Sequence, residues 1–348
     1  MADKTTYRLA LIGFGAVGQG LAQILRYHSD WLAHRYGVGL RIAAVCTRSR
    51  GNLYDPDGLD PAILLEEVAR AGHLRDLPAQ TDRDVFDIIE RTEADVLVEV
   101  SPTNLETAEP ATSYIQAAIA RGMHVVTANK GPIALRFADL RRQAMDAGVY
   151  LGFEGTVMSG TPALRLAWSD LAGCEVIELS GIVNGTTNYI LTQMEQGKSY
   201  ADALAEAQTL GYAEADPAGD VEGYDAAAKA LILANIVMDA PLGMSDVDRT
   251  GITGLTREMV EAAVASGERW KLLARVWREG EQVRASVLPT RLPLSHPLAS
   301  IGGVTNAITF TTDLLGDITL IGPGAGGVAT GFAVLSDILA MHLLWARA

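Results

Sequence analysis

Cysteine is scarce in this 348-residue chain, which holds only Cys46 and Cys174. Two thiols cannot build a disulfide framework, and no CxxC or Cys/His cluster gives the spacing of a zinc site. Blocks of lysine and arginine are also missing, and the formal charge is −14. That balance argues against nucleic acid or an anionic membrane surface as a partner. The N-terminal MADKTTYRLALIGFG lacks a signal-peptide pattern, because its first apolar run reads as a strand entering a glycine turn. The closing GGVATGFAVLSDILAMHLLWARA is apolar, but Asp337 and His342 break it into short runs. A buried helix fits that pattern better than a membrane span. Cytoplasm is the expected compartment, with no membrane partner.

What is present suits a globular chain of two domains. Apolar residues make up 49% and charged residues 20%, with ample length for a hydrophobic core. Up to about residue 150, short β-rich runs (Arg8–Ile12, Arg41–Val45, Val96–Val100, His124–Thr127, Val149–Phe153) alternate with helical patterns (Val17–His34, Pro61–Arg70, Pro110–Arg121, Ile133–Ala147). This alternation predicts an α/β domain with a Rossmann-type parallel sheet. The segment Arg48–Asp60, rich in Gly, Asp and Pro, reads as a loop insertion. Beyond residue 153 the pattern changes to α+β. A helix (Pro162–Leu171) and a strand (Val176–Val183) precede helices at Asn188–Glu195, Tyr200–Leu210 and Gly223–Met238. Strand-like runs follow at Lys271–Trp277, Gln282–Leu288 and Ala307–Thr312.

The stretch LALIGFGAVGQGLAQIL places GxGxxG between a strand and a helix. Gly13 suits a tight turn, Gly15 a close backbone approach to pyrophosphate, and Gly18 close helix–strand packing. The N–H groups of Phe14, Ala16 and Val17 belong to the same anion-facing turn. At the end of the second strand, CTRSR holds no acid for a ribose 2′-OH. It offers Arg48 and Arg50 for a 2′-phosphate instead, with Thr47 and Ser49 as hydroxyl donors. NADP is therefore expected, with NAD an alternative.

In such sheets ligands lie beyond the carboxyl ends of the strands. There VEVSPTN puts Ser101, Pro102 and Thr103 beside the nicotinamide, and HVVTANKGP puts Lys130 directly after a strand. The stretch GFEGTVMSGTPAL offers only oxygen donors, from Glu154 through Val157 and Ser159 to Thr161. These suit a hard cation such as Na⁺ or K⁺, although from spacing alone a helix N-terminus capped by Ser159 or Thr161 is the better reading. Further on, GYAEADPAGDVEGYDAAAK runs into an apolar helix. At 100° per residue almost every face of that helix is apolar, so Lys229 is carried into the interior. Asp225, one turn earlier, is a suitable ion-pair partner. A lysine so held has the chemistry for proton transfer to an alkoxide.

These pieces together resemble the homoserine dehydrogenase family over nearly the whole chain. The likeness rests on GFGAVG, VSPTNLETAEP, HVVTANKGP, FEGTV, GIVNGTTNYIL, LGYAEADPAGDVEGYDAAAK and GPGAGGVATGFAVLSDI. It implies reversible NAD(P)-dependent interconversion of L-homoserine and L-aspartate 4-semialdehyde, in threonine and methionine biosynthesis. By position it implies catalytic roles for Lys130, Lys229 and Asp225, and substrate contacts from Thr186, Tyr212, Glu214 and Asp220. Glu154, Val157, Ser159 and Thr161 match the family's alkali-cation loop, and Gly326 a cofactor contact. The resemblance further implies three segments: a nucleotide-binding domain (1–153), a substrate and dimerisation domain (154–315), and a C-terminal segment (316–348) returning to the first. A homodimer is expected, with no room for a regulatory ACT domain. The competing readings are a non-catalytic NAD(P)-binding sensor and another semialdehyde or alcohol oxidoreductase. A phosphorylating semialdehyde enzyme needs a reactive cysteine, and Cys174 has no histidine nearby in the sequence.

Overall fold

The computed structural model describes residues 5–345. It divides into two compact units, Met1–Gly160 with Gly326–Ala348, and Thr161–Ala325.

The first unit alternates strand and helix: β1 (Thr5–Ile12), α1 (Ala16–Tyr36), β2 (Val38–Cys46), β3 (Leu53–Leu59), α2 (Pro61–Ala71), α3 (Val85–Arg91), β4 (Val96–Glu99), α4 (Ala111–Ala120), β5 (His124–Thr127), α5 (Lys130–Ala147) and β6 (Leu151–Gly152). The sheet order is β3-β2-β1-β4-β5-β6, and the pairs from β2 through β6 are all parallel. These strands are near-continuous apolar runs because helices cover both faces of a parallel sheet. One face buries Leu9, Leu11, Val96 and Val98, and the other Ala10, Ile12, Leu97 and Val125.

The segment read as a loop insertion is in fact an edge strand. β3 pairs antiparallel with β2, which makes the sheet mixed. Its sequence LYDPDGL hides the strand, since Pro56 and Gly58 are depleted in sheet interiors but tolerated at an edge.

The second unit comprises α6 (Ala163–Arg165), β7 (Val176–Ile182), α7 (Gly185–Glu195), α8 (Tyr200–Thr209), α9 (Ala218–Val221), α10 (Tyr224–Val237), β8 (Val247–Arg249), α11 (Arg257–Ala265), β9 (Glu268–Glu279), β10 (Gln282–Pro293), β11 (Thr305–Thr312) and β12 (Gly316–Pro323). Its mixed sheet runs β12-β11-β7-β9-β10-β8. The helix expected over Pro162–Leu171 is only the short α6, followed by a wider π turn at Leu166–Asp170. β12 hydrogen-bonds antiparallel to β11 along its whole length. The chain therefore leaves this sheet only after Pro323, and the division falls at Gly326 rather than near residue 316.

The last helix, α12 (Gly327–Trp345), completes the first unit. By length and composition alone it could cross a membrane. In the fold its Ala333, Val334, Leu335, Ile338 and Met341 are buried, most of them in one core cluster with Leu21 and Leu25. Contact with α1 is backbone to backbone. A Cβ on Gly20 would lie 2.0 Å from the Gly327 carbonyl oxygen, and one on Gly331 would lie 2.5 Å from the Leu21 nitrogen.

Candidate functional site

In the first unit, the GFGAVG turn joins β1 to α1. Gly13 adopts φ +108°, and a Cβ there would lie 2.5 Å from the Val100 carbonyl oxygen. Only glycine takes that conformation without strain. Gly15 is exposed, with open space where a Cβ would be, while a Cβ on Gly18 would lie 2.6 Å from the Gly13 oxygen. α1 starts without a side-chain cap, so its first N–H groups point outward as an anion-binding end. α12 begins at the same place: a Cβ on Gly327 would lie 2.6 Å from the Ala16 carbonyl oxygen. Gly326, at φ +130°, is exposed just before this second helix start. The turn therefore fits a dinucleotide pyrophosphate.

The loop after β2 is internally tied. Thr47 Oγ1 donates to the Gly51 carbonyl (2.9 Å) and accepts from the Arg50 N–H (2.8 Å). The Thr47 hydroxyl is thus committed to shaping the loop, which corrects its expected role as a phosphate donor. Arg50 reaches back to the glycine turn, its Nη1 donating to the Phe14 carbonyl at 2.8 Å. Arg48 and Ser49 are exposed. Cys46 is buried, and burial pushes its thiol up to about 12, so it is no nucleophile at neutral pH.

At the strand ends, Ser101 is half-buried, Pro102 and Thr103 are exposed, and Lys130 is the first residue of α5 behind the Asn129 cap. Beneath them lies a group that sequence reasoning missed. Glu99 is fully buried. Its carboxylate accepts from the Ser101 N–H (3.0 Å), the Thr127 hydroxyl (3.2 Å) and the Ser101 hydroxyl. Asn129 completes the network, donating its N–H to Thr127 Oγ1 (3.0 Å) and its Nδ2 to the Ser101 carbonyl (3.3 Å). Burial pushes the Glu99 carboxyl up to about 6 despite these donors. The network ties together the two strand ends that carry Ser101 and Lys130.

The FEGTVMSG loop follows β6. Glu154, Val157 and Ser159 are all buried. Met158 and Ser159 take positive φ values of 55° and 54°, a costly conformation for residues with side chains. α12 holds the loop in place. Asp337 Oδ2 accepts from the Glu154 N–H (2.9 Å), and the Ser159 and Thr330 hydroxyls are bonded at 2.8 Å. Thr161 belongs to the second unit, where its hydroxyl donates to the Pro323 carbonyl at 3.0 Å. Within the first unit, Glu154, Val157 and Ser159 offer oxygens only, the chemistry that suits an alkali cation.

In the second unit the structure brings four of the singled-out residues together. Residues 226–234 of α10 are buried on every face, Lys229 among them. Lys229 Nζ donates to Asp225 Oδ2 at 2.7 Å and to the Val183 carbonyl at 2.6 Å. Two of three ammonium donors are thereby fixed. Gly223, at φ +83°, reverses the chain between α9 and α10 and brings Asp220 to the same spot. Asn184 bridges the two acids: its Nδ2 lies 2.7 Å from Asp220 Oδ1 and 2.9 Å from Asp225 Oδ2. Burial first, and then the neighbouring Asp225 charge, raise the Asp220 carboxyl, opposed chiefly by the bond from Asn184. The Thr186 hydroxyl donates to the Tyr212 carbonyl at 2.6 Å. Glu214 stands apart on the exposed loop, where its backbone carbonyl accepts from Gln208. The Tyr212 ring is exposed and meets Tyr189 edge-on. Asn184, within GIVNGTTNYIL, is a residue that sequence reasoning misses. Its one sequence signal is an asparagine immediately before a helix.

Comparison with known proteins decides the family. Residues 13–154 match the family model described as the NAD-binding domain of homoserine dehydrogenase, and residues 162–339 match the homoserine dehydrogenase model. The chain belongs to the homoserine dehydrogenase family. These are NAD(P)-dependent oxidoreductases acting on a hydroxyl group. An NAD(+)-dependent homoserine dehydrogenase of Pseudomonas canavaninivorans is 44% identical over 340 residues, spanning 97% of each chain. A homoserine dehydrogenase of Methanocaldococcus jannaschii is 39% identical, over 96% of this chain and 98% of the relative. Among solved structures, a hyperthermophilic archaeal homoserine dehydrogenase mutant in complex with NADPH superposes with a TM-score of 0.84. It is 31% identical, and 98% of each chain is covered.

Proposed function

We propose that this chain interconverts L-homoserine and L-aspartate 4-semialdehyde with NAD(P), and that Lys229 moves the proton. The observation that carries the reading is the buried ammonium of Lys229, held by Asp225 and the Val183 carbonyl with one donor left over. A fully solvated lysine has no need of such a seat, and burying one is costly unless it is paired. NAD(P), when bound, would supply the acceptor for the hydride of the C4 alcohol. This chain's residues do the remainder. Lys229 takes or returns the hydroxyl proton, and Asp225 keeps the ammonium oriented. Asp220, Thr186, Tyr212 and Glu214 receive the amino-acid portion, and Lys130 follows the strand end beside Ser101. The α1 start and Gly326 receive the pyrophosphate.

The finer readings rest on smaller observations. Exposed Arg48, with Arg50 beside it, supports NADP over NAD. The oxygen-only loop from Glu154 to Thr161 supports Na⁺ or K⁺. Leu314, Leu315 and Ile321 are exposed on the β11–β12 hairpin at the sheet edge, which supports pairing with a second copy. A cytoplasmic role in threonine and methionine biosynthesis follows from the substrate. Homoserine-dependent reduction of NADP⁺ and NAD⁺ by the purified chain tests the reading. No activity with either cofactor would return the chain to a non-catalytic sensor. A phosphorylating semialdehyde oxidoreductase would need a reactive cysteine beside a base, whereas burial pushes the Cys46 thiol up to about 12 and Cys174 has no histidine near it in the sequence.

A further inference from the structure

We infer that Asn184 is a positioning residue for the reaction, acting through the carboxylates of Asp225 and Asp220. The inference rests on the reading of Lys229 and Asp225 as the proton-transfer pair. All four hydrogen-bonding positions of its side-chain amide are used. The oxygen accepts from the Thr187 N–H and hydroxyl, both at 2.9 Å. A backbone N–H can only donate, so this contact fixes which end of the amide is oxygen. The NH₂ group therefore faces the acids, donating once to Asp220 and once to Asp225.

The bond to Asp225 falls on Oδ2, the same oxygen that accepts from Lys229. Asn184 thus stops the Asp225 carboxylate from rotating away from the ammonium. By its other hydrogen it places a donor between two like charges that burial would otherwise make more repulsive. It also sits at the junction of β7 and α7, so one side chain sets three elements at once: the α7 start that carries Thr186, α9 with Asp220, and α10 with Asp225 and Lys229. Substrate affinity and proton transfer are coupled through it.

Asn184→Ser and Asn184→Asp separate this role from helix capping, because both keep a cap acceptor for Thr187. Serine is too short to span the two acids, and aspartate replaces the donors with a third carboxylate. The expected result for Asn184→Ser is a fall in kcat of at least about tenfold. The homoserine KM should rise severalfold, and the cofactor KM should stay within about twofold. Asn184→Asp should lose more. In an Asp225→Asn background Asn184→Ser should cost little further, since residues acting through one contact are not additive. A kcat within about twofold of the parent in either Asn184 variant would overturn the inference, and so would a full multiplicative cost in that background. If the serine variant does not fold, the aspartate variant carries the test alone. Lys229→Ala in the same assay keeps the two readings apart. Retained kcat there sinks the assignment of Lys229 itself, whereas lost kcat beside an intact Asn184→Ser sinks only the role of Asn184.

Discussion

Replacing Glu99 by glutamine should stabilise the nucleotide-binding unit at neutral pH and flatten its pH dependence. Burial raises this carboxyl from an ordinary 4.5 to about 6. Between those values the native protein still binds a proton that the unfolded chain has released. Stability therefore falls as pH rises through that window, and it levels off above the native pKa. At about 1.4 kcal/mol per pH unit, the rise corresponds to about 2 kcal/mol of folding free energy given up by ionised Glu99 at neutral pH. Glutamine never ionises, so its advantage over the parent should grow by about 2 kcal/mol across the window. The bonds from Ser101 and Thr127, which favour the ionised form, are already contained in the value of about 6 and so do not change this pH-dependent difference. Urea midpoints of both proteins from about pH 4.5 to about pH 8, followed by circular dichroism, read the difference. A difference that is flat, or that shrinks with rising pH, would show that Glu99 is not held at a cost. The cost is intelligible if the ionised form is needed, because it accepts from three donors at once and so pins Ser101 to Thr127. The glutamine variant should then be more stable while its cofactor KM rises severalfold, the usual conflict between stability and a strained site.

Four further outcomes follow from the same geometry. Lys229→Ala should lower kcat by about 10²-fold or more in homoserine oxidation, with little change in cofactor KM; near-normal kcat would return the Lys229–Asp225 pair to a structural role. Gly20→Ala should destabilise the nucleotide-binding unit by about 3 kcal/mol, because its Cβ would lie 2.0 Å from the Gly327 oxygen and overpacking outweighs the gain in helix propensity; an unchanged melting temperature would refute the close α1–α12 approach. Exchanging alkali salts at fixed ionic strength should alter activity while EDTA leaves it intact, and indifference to the ion would make the Glu154–Thr161 stretch a loop and cap only. Arg48→Ala should weaken NADP about tenfold or more and leave NAD unchanged, and a parent enzyme that already prefers NAD would show Arg48 to be a solvated loop residue.

The fold was legible where burial imposed a pattern. β1, β2, β4 and β5 lie between two helical layers, so their apolar runs stand out from the polar helix faces around them. β3 was not legible. As a half-exposed edge it tolerates Asp, Pro and Gly, the residues that normally mark a loop. Two other omissions have a different origin. α3 (VFDIIER) is under two full turns long and β8 is three residues, too short for any period to emerge. The Pro162–Leu171 pattern failed differently: its apolar spacing is helical, but the chain widens into a π turn before a second α-helical turn can form.

The site shows the same division at the level of single side chains. Lys229 could be read from the sequence because nearly every position around it on α10 is apolar, and a wheel turns that fact into burial. Gly13 could be read because its backbone geometry excludes other residues. Glu99 and Asn184 could not, for neither belongs to a periodic pattern. Glu99 looks like one polar residue ending an apolar strand, and Asn184 like an ordinary helix cap. Their importance depends on partners distant in sequence: Thr127 and Asn129 for one, Asp220 and Asp225 for the other. Both do the same physical work, satisfying several polar groups at once so that the side chains they bond keep one orientation. Residues that react announce themselves by being chemically unusual for their surroundings. Residues that orient them are chemically ordinary, and only the hydrogen-bond geometry separates them from caps and strand ends.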